Sequence, residues 1–162
     1  MGKVILEAPL SAKIGLLVIL GYVFTAVFAP WIAPYSETAI VGSSYELWTN
    51  EFIFGTDNIG RDMLSRLIFG ARNTIGIAFA TVIVAFLIGG VTGMLAAILG
   101  GWYDMAISRL VDILMAVPSL IFALLLLTIF GTSVLSLILI IAVLDSTRVF
   151  RISRSAAMNG VV

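Results

Sequence analysis

Phe54-Gly55-Thr56-Asp57-Asn58-Ile59-Gly60-Arg61-Asp62-Met63-Leu64-Ser65-Arg66-Leu67-Ile68-Phe69-Gly70-Ala71-Arg72 sets five charges and three glycines between two long apolar runs. Ile59, Met63, Leu64, Leu67, Ile68 and Ala71 recur at spacings of three and four, the interval that places side chains on one helical face, while Arg61, Asp62, Ser65, Arg66 and Arg72 project elsewhere. The spacing predicts an amphipathic helix over residues 58–72, lying in a membrane interface with its apolar face toward the acyl chains. Asp62 stands four residues before Arg66, the order in which a carboxylate and a cation support a helix. Gly55 to Asn58 supply flexible backbone and capping side chains ahead of it, with direct contact of Thr56, Asp57 or Asn58 to a solute as the alternative.

Composition extends the membrane reading to the whole chain. Apolar residues make up 61% and charged residues 11%, against about 45–50% and about 25% in soluble domains. Too little polar surface exists to cover a water-soluble core. The 162 residues contain no cysteine and no histidine, which removes disulfides, thiolate nucleophiles, imidazole bases and the usual zinc or iron ligands. The carboxylates are scattered along the chain rather than clustered, which argues against a membrane-embedded enzyme. No catalytic or metal-binding residue is assigned. Net charge is zero and no basic block interleaves with aromatics, so nothing suggests a nucleic-acid partner.

Outward from the opening stretch, the chain reads as an all-α polytopic membrane protein with about four spans, at roughly 14–34, 74–100, 107–130 and 134–150. Ile14 to Ser36 is free of charge for 23 residues, enough to cross a bilayer. A cleaved signal peptide is the rival, but the run is too long, Phe28 spoils the small-residue pattern and Pro30 follows the would-be cut. Trp31 and Tyr35 suit an interface, and Pro30 and Pro34 help to end the helix. Glu37 to Asp57 is then a mildly acidic loop outside the membrane, completing an N-terminal region over 1–72.

The remainder, 73–162, opens with 31 uncharged residues from Asn73 to Tyr103. In it Thr81, Ala85, Gly89, Gly93, Ala97 and Gly101 put a small residue at every fourth position, the packing device of membrane helices. Whether that row meets this chain's own helices or a partner's is left open by the pattern. A polar turn follows, with Gly101, Asp104, Arg109, Asp112 and Pro118. The next uncharged run, Ile113 to Leu144, holds 32 residues, too many for one span and too few for two of about 20. Gly131-Thr132-Ser133 is its natural break, which leaves Asp112 and Asp145 at the membrane edge or inside it. Arg109 with Asp112, and Asp145 with Arg148, are three apart and are expected to neutralise each other on one helix, with a place along a transport path as the second reading. Arg148, Arg151 and Arg154 read as a cytoplasmic anchor close to one helical face. With the N-terminus inside, six lysines and arginines lie inside and three outside, as the positive-inside rule asks.

Two polar segments carry a family resemblance. Phe54-Gly55-Thr56-Asp57, Gly60-Arg61-Asp62, Ser65-Arg66 and Gly70-Ala71-Arg72 are similar to the segment before the second membrane helix in C-type permease subunits of the dipeptide, oligopeptide and nickel ABC importers. Gly100-Gly101-Trp102-Tyr103-Asp104, Arg109, Asp112 and Pro118 resemble the same family's next polar turn, in the same order. The resemblance implies the N-terminal part of an ABC type-1 permease fold, pairing with a B-type permease and receiving peptides or similar solutes from an extracytoplasmic binding protein in the inner membrane. It implies no cofactor in this chain, with ATP and magnesium held by separate ATPase subunits; the sequence has no Gly-x-x-x-x-Gly-Lys-Ser/Thr phosphate loop. The chain reads as ending before the family's Glu-Ala-Ala coupling motif, and it departs from its relatives at Leu144-Asp145-Ser146-Thr147. Import of nickel chelates, or a truncated anchor without transport, are the alternatives.

Overall fold

The computed structural model describes residues 9–160. Five helices follow in order: α1 Leu10–Ile32, α2 Met63–Leu99, α3 Gly101–Ala116, α4 Ser119–Phe130 and α5 Val134–Gly160. The described residues contain no strand, only two isolated antiparallel bridges, Ile40 with Arg61 and Thr56 with Asp62. The all-α architecture read from the sequence stands; the helix boundaries differ, and each difference has a local cause. The chain divides into two compact units that meet between Gly76 and Ile77 within α2.

In the first unit, α1 begins four residues before the expected start and stops at Ile32. Pro34 disfavours helical dihedrals at the residue before it, and Ala33 is extended at φ −67° and ψ 129°. The α1 surface is apolar and open, with Leu17 72% and Trp31 77% exposed, the condition of a helix whose solvent is lipid. The loop 33–62 folds on itself. Val41 and Gly42 donate their N–H groups to Gly60 O, Tyr45 N–H to Asp57 O, and Thr56 N–H to Glu46 O. Gly60, at φ +84°, comes so close to the Gly42 carbonyl that an added Cβ would lie 2.1 Å from its oxygen.

The separate interfacial helix expected over 58–72 is absent. Asn58 to Arg61 are turn and bridge residues, and the helix beginning at Met63 runs on to Leu99 without a break. The polar character of Arg66, Arg72 and Asn73 does not interrupt the ladder, because nothing there removes a backbone donor. At 37 residues and 1.5 Å per residue, α2 is about 56 Å long, well beyond the ~30 Å of hydrocarbon it crosses.

In the second unit, Gly100 and Gly101 both take positive φ, 58° and 52°, and end α2. The single span expected over 107–130 is a bent pair: α3 and α4 meet at 92°. Pro118 is the cause. It holds Val117 extended at φ −90° and ψ 133°, and its own carbonyl accepts the first α4 bond, from Phe122 N–H at 3.1 Å. Gly131 at φ +84° closes α4, and Ser133 Oγ accepts Ser136 N–H at 3.1 Å to open α5. α5 continues ten residues past the expected end. Among the described residues two helices, α1 and α2, are long and apolar enough to cross a membrane, or three if α3 and α4 form one bent span, rather than about four. α5 falls short because its charge-free part is only Val134 to Leu144.

α5 lies against the small-residue face of α2. A Cβ on Gly89 would sit 2.3 Å from Ser146 O, and one on Gly93 would sit 2.7 Å from Phe150 O. Ala85 is 2% exposed beside them, while Ala97 is only half-buried. Ala96, Val111 and Phe150 form the core below, with Tyr103 and Ile107 packed on it. Ser146 and Thr147 enter this dry contact because their hydroxyls donate back to the carbonyls of Val143 and Leu144. Gly89→Val is therefore expected to lower stability at the upper end of the about 1–3 kcal/mol seen for overpacking. Gly90→Ala, where the nearest atom is Ser153 Oγ at 4.0 Å, should be neutral or stabilising. Thermal unfolding of both variants in detergent checks the contrast; equal midpoints would contradict the close approach.

Candidate functional site

The residues of the opening stretch assemble around one carboxylate. Asp57 Oδ1 accepts the N–H groups of Ile59 at 2.8 Å and Arg61 at 3.0 Å, and Oδ2 accepts Arg61 Nε and Arg66 Nη1, both at 2.7 Å. Its side chain is 5% exposed. Burial alone would raise its pKa; the backbone N–H groups of Arg61 and Ile59, then the Arg61 guanidinium, outweigh that and hold the carboxyl well below the usual range. Thr56 Oγ1 donates to Ser43 O and accepts Glu46 N–H at 2.8 Å. Asn58 stays exposed, its carbonyl taking Ser44 Oγ at 2.8 Å. Gly55, at φ +68°, leaves no room for a Cβ beneath Glu46 O.

The expected Asp62–Arg66 pair does not form. Asp62 immediately precedes the first helical residue, so its carboxylate turns inward as a cap: Oδ2 accepts Ser65 N–H at 2.8 Å and Ser65 Oγ–H at 2.6 Å. Ser65 Oγ in turn accepts Tyr35 N–H at 3.0 Å, tying the exit of α1 to the start of α2. Arg66 is left to reach Asp57. Arg72 is exposed and makes no ion pair among the described residues. The Asp62-x-x-Ser65 cap was legible as a spacing; the roles of Tyr35, Glu46 and Ser43 were not, since each depends on how the loop folds back.

In the second unit the charges of the polar turn pair across helices rather than along them. Arg154 donates through Nε and Nη2 to the two oxygens of Asp104, the latter at 2.6 Å, and Ser108 Oγ adds a bond at 3.3 Å. Arg151 Nη2 reaches Asp112 Oδ1 at 2.6 Å. The expected pairs Arg109–Asp112 and Asp145–Arg148 are absent; Arg109, Asp145 and Arg148 are exposed without an ion pair among the described residues. Helical geometry explains the split. Three residues advance about 300°, so Arg148, Arg151 and Arg154 each step about 60° around α5. Only the last two face α3. Gly101 lies at the α2–α3 join and Pro118 at the α3–α4 bend, both away from these pairs.

The donor set fits neither catalysis nor a metal: among the described residues no group of three or more carboxylates could hold an ion. A groove of about 750 Å³ lies in the first unit between α1 and the start of α2, lined by Leu17, Tyr22, Thr25, Arg66, Leu67 and Ile75 among others.

Long apolar helices, joined by internally bonded polar turns and lacking a reactive cluster, define a polytopic membrane component of a transport system. Residues 89–161 match the family described as binding-protein-dependent transport system inner membrane component, and residues 11–46 match the N-terminal TM domain of oligopeptide transport permease C. The chain belongs to that permease family. It is 34% identical over 154 residues to the dipeptide transport system permease protein DppC of Alkalihalophilus pseudofirmus, covering 91% of this chain and 49% of the relative. It is 36% identical over 152 residues to the di/tripeptide transport system permease protein DppC of Pseudomonas aeruginosa, covering 90% and 50%. With the dipeptide permease DppC of Haemophilus influenzae it shares 34% over 156 residues, covering 92% and 53%. The chain thus spans about half the length of these relatives.

Because Asp57 is bound more tightly as an anion, its contribution to the loop is complete above the ordinary carboxylate range and is lost only as pH falls below it. Asp57→Asn removes that contribution at every pH. Limited proteolysis at neutral pH should cut the variant between Ser43 and Gly60 about tenfold faster than wild type. Unchanged protection would show that the arginines do not depend on this carboxylate.

Proposed function

We propose that the chain is one permease half of an ATP-driven importer, forming with a related permease the path for dipeptides, oligopeptides or similar small solutes. The observation that carries this reading is the similarity over about nine-tenths of the chain to relatives named as dipeptide permeases. An extracytoplasmic binding protein delivers the solute, and separate ATPase subunits bind ATP and magnesium and supply the energy. The chain performs no chemistry on its cargo. Contact between the Gly89 and Gly93 face and the α5 backbone, pinned by Asp104–Arg154, supports movement of α2, α3 and α5 as a body when the partners hydrolyse ATP. The Asp57 loop lies on the outer face, the N-terminus and the end of α5 on the cytoplasmic face of the inner membrane, as the balance of lysine and arginine supports.

Uptake of labelled dipeptides into cells lacking the chain should fall to background and return with it, and the chain should copurify with an ATPase and a second permease. Assembly with neither, and normal uptake without it, would leave a membrane anchor as the better reading. The native chain has no cysteine, so single cysteines at Ser44 and Ser155 report orientation directly. An impermeant thiol reagent added to intact cells should label the first and spare the second; the reverse pattern would invert the topology.

A further inference from the structure

α5 carries four charges in its second half, and the structure sorts them into two kinds. Arg151 and Arg154 are neutralised by Asp112 and Asp104 of α3. Asp145 and Arg148 are exposed and bound to no ion partner among the described residues, not even to each other. Their flanking positions do not share that fate, since Leu144, Ser146, Thr147 and Phe150 are buried. One opposite-sign pair of charges therefore points away from the helices that α5 packs against.

Depth makes that position costly if the outward face meets lipid. A helix entering the hydrocarbon at Val134 brings Asp145 about 17 Å and Arg148 about 21 Å inward, within a ~30 Å core. Arg148 is long enough to reach toward an interface, but Asp145 ends one carbon beyond its Cβ and cannot. Ionisable residues at such depth face a polar cavity or a polar partner. The pair also has dimensions. Residues three apart on a helix hold their Cβ atoms about 5–6 Å apart, and two extended residues span at most about 7 Å.

We infer that Asp145 and Arg148 form a binding site for the two charged termini of a zwitterionic dipeptide, Asp145 taking the α-ammonium and Arg148 the α-carboxylate. The inference rests on the peptide-importer reading and assigns that reading a point of contact on this chain. Charge complementarity selects the occupant. A phospholipid tail matches neither charge, whereas a free dipeptide presents both signs at the required separation.

The test uses the assembled importer in proteoliposomes with L-alanyl-L-alanine as probe. Asp145→Asn and Arg148→Gln should each reduce its uptake about tenfold or more, with Asp145→Glu retaining most of it. Single cysteines replacing Asp145 or Arg148 should react with a water-soluble charged thiol reagent. Saturating L-alanyl-L-alanine should slow that reaction, and N-acetyl-alanine methylamide, which lacks both charges, should not. Absence of labelling would show that lipid or a sister chain covers the face and would overturn the site. So would labelling that L-alanyl-L-alanine leaves unchanged, or full uptake by both charge-removing variants. Failure of the wild-type importer to move the dipeptide at all would instead overturn the importer reading, so the two failures are separable.

Discussion

The second unit depends on how closely two backbones approach. Gly89 and Gly93 let the carbonyls of Ser146 and Phe150 come within distances that any side chain would forbid. In lipid, burial of apolar surface gives little net drive, because the tails are as apolar as the helices. Close van der Waals contact must supply the association instead, and glycine is what permits it. The hydroxyls of Ser146 and Thr147 would spoil the contact in another conformation. Bonded back to Val143 and Leu144, they become small, satisfied surface.

With α5 seated in this way, its polar end meets α3. Arg151 and Arg154 reach Asp112 and Asp104, one pair half-exposed and the other more enclosed. Exposed ion pairs contribute little to stability. What the two pairs add is register, since a slide of α5 along α3 would separate both. The packing thus combines a non-directional contact on one side of α5 with a directional one on the other.

The sequence exposed much of this and hid a specific part. The row Thr81, Ala85, Gly89, Gly93 is visible as a period of four; what it faces is not, because its partner lies more than fifty residues away. Pro118 is conspicuous, yet only the extended Val117 beside it reveals a bend of 92° rather than a mild kink. The Asp62–Arg66 spacing suggested a helical pair on the assumption that both residues are helical. Asp62 is the residue before the helix, and that one-residue boundary converts a surface charge into a buried cap. Cross-helix partners such as Asp104 and Arg154, fifty residues apart, obey no local period. The divergence of Arg148 from its two neighbours was, by contrast, open to simple arithmetic on the helical turn.

Asp57 lies in the loop after α1, but one of its four donors, Arg66, belongs to the opening turn of α2. As the polypeptide leaves the ribosome, the carboxylate is made first and waits nine residues for its second arginine. The loop therefore cannot close until the beginning of the following helix has arrived on the same side of the bilayer. Maturation of this segment is timed by threading of the next span, and an inserted chain stalled between the two would display an unshielded acid to whatever surveys unfinished membrane proteins.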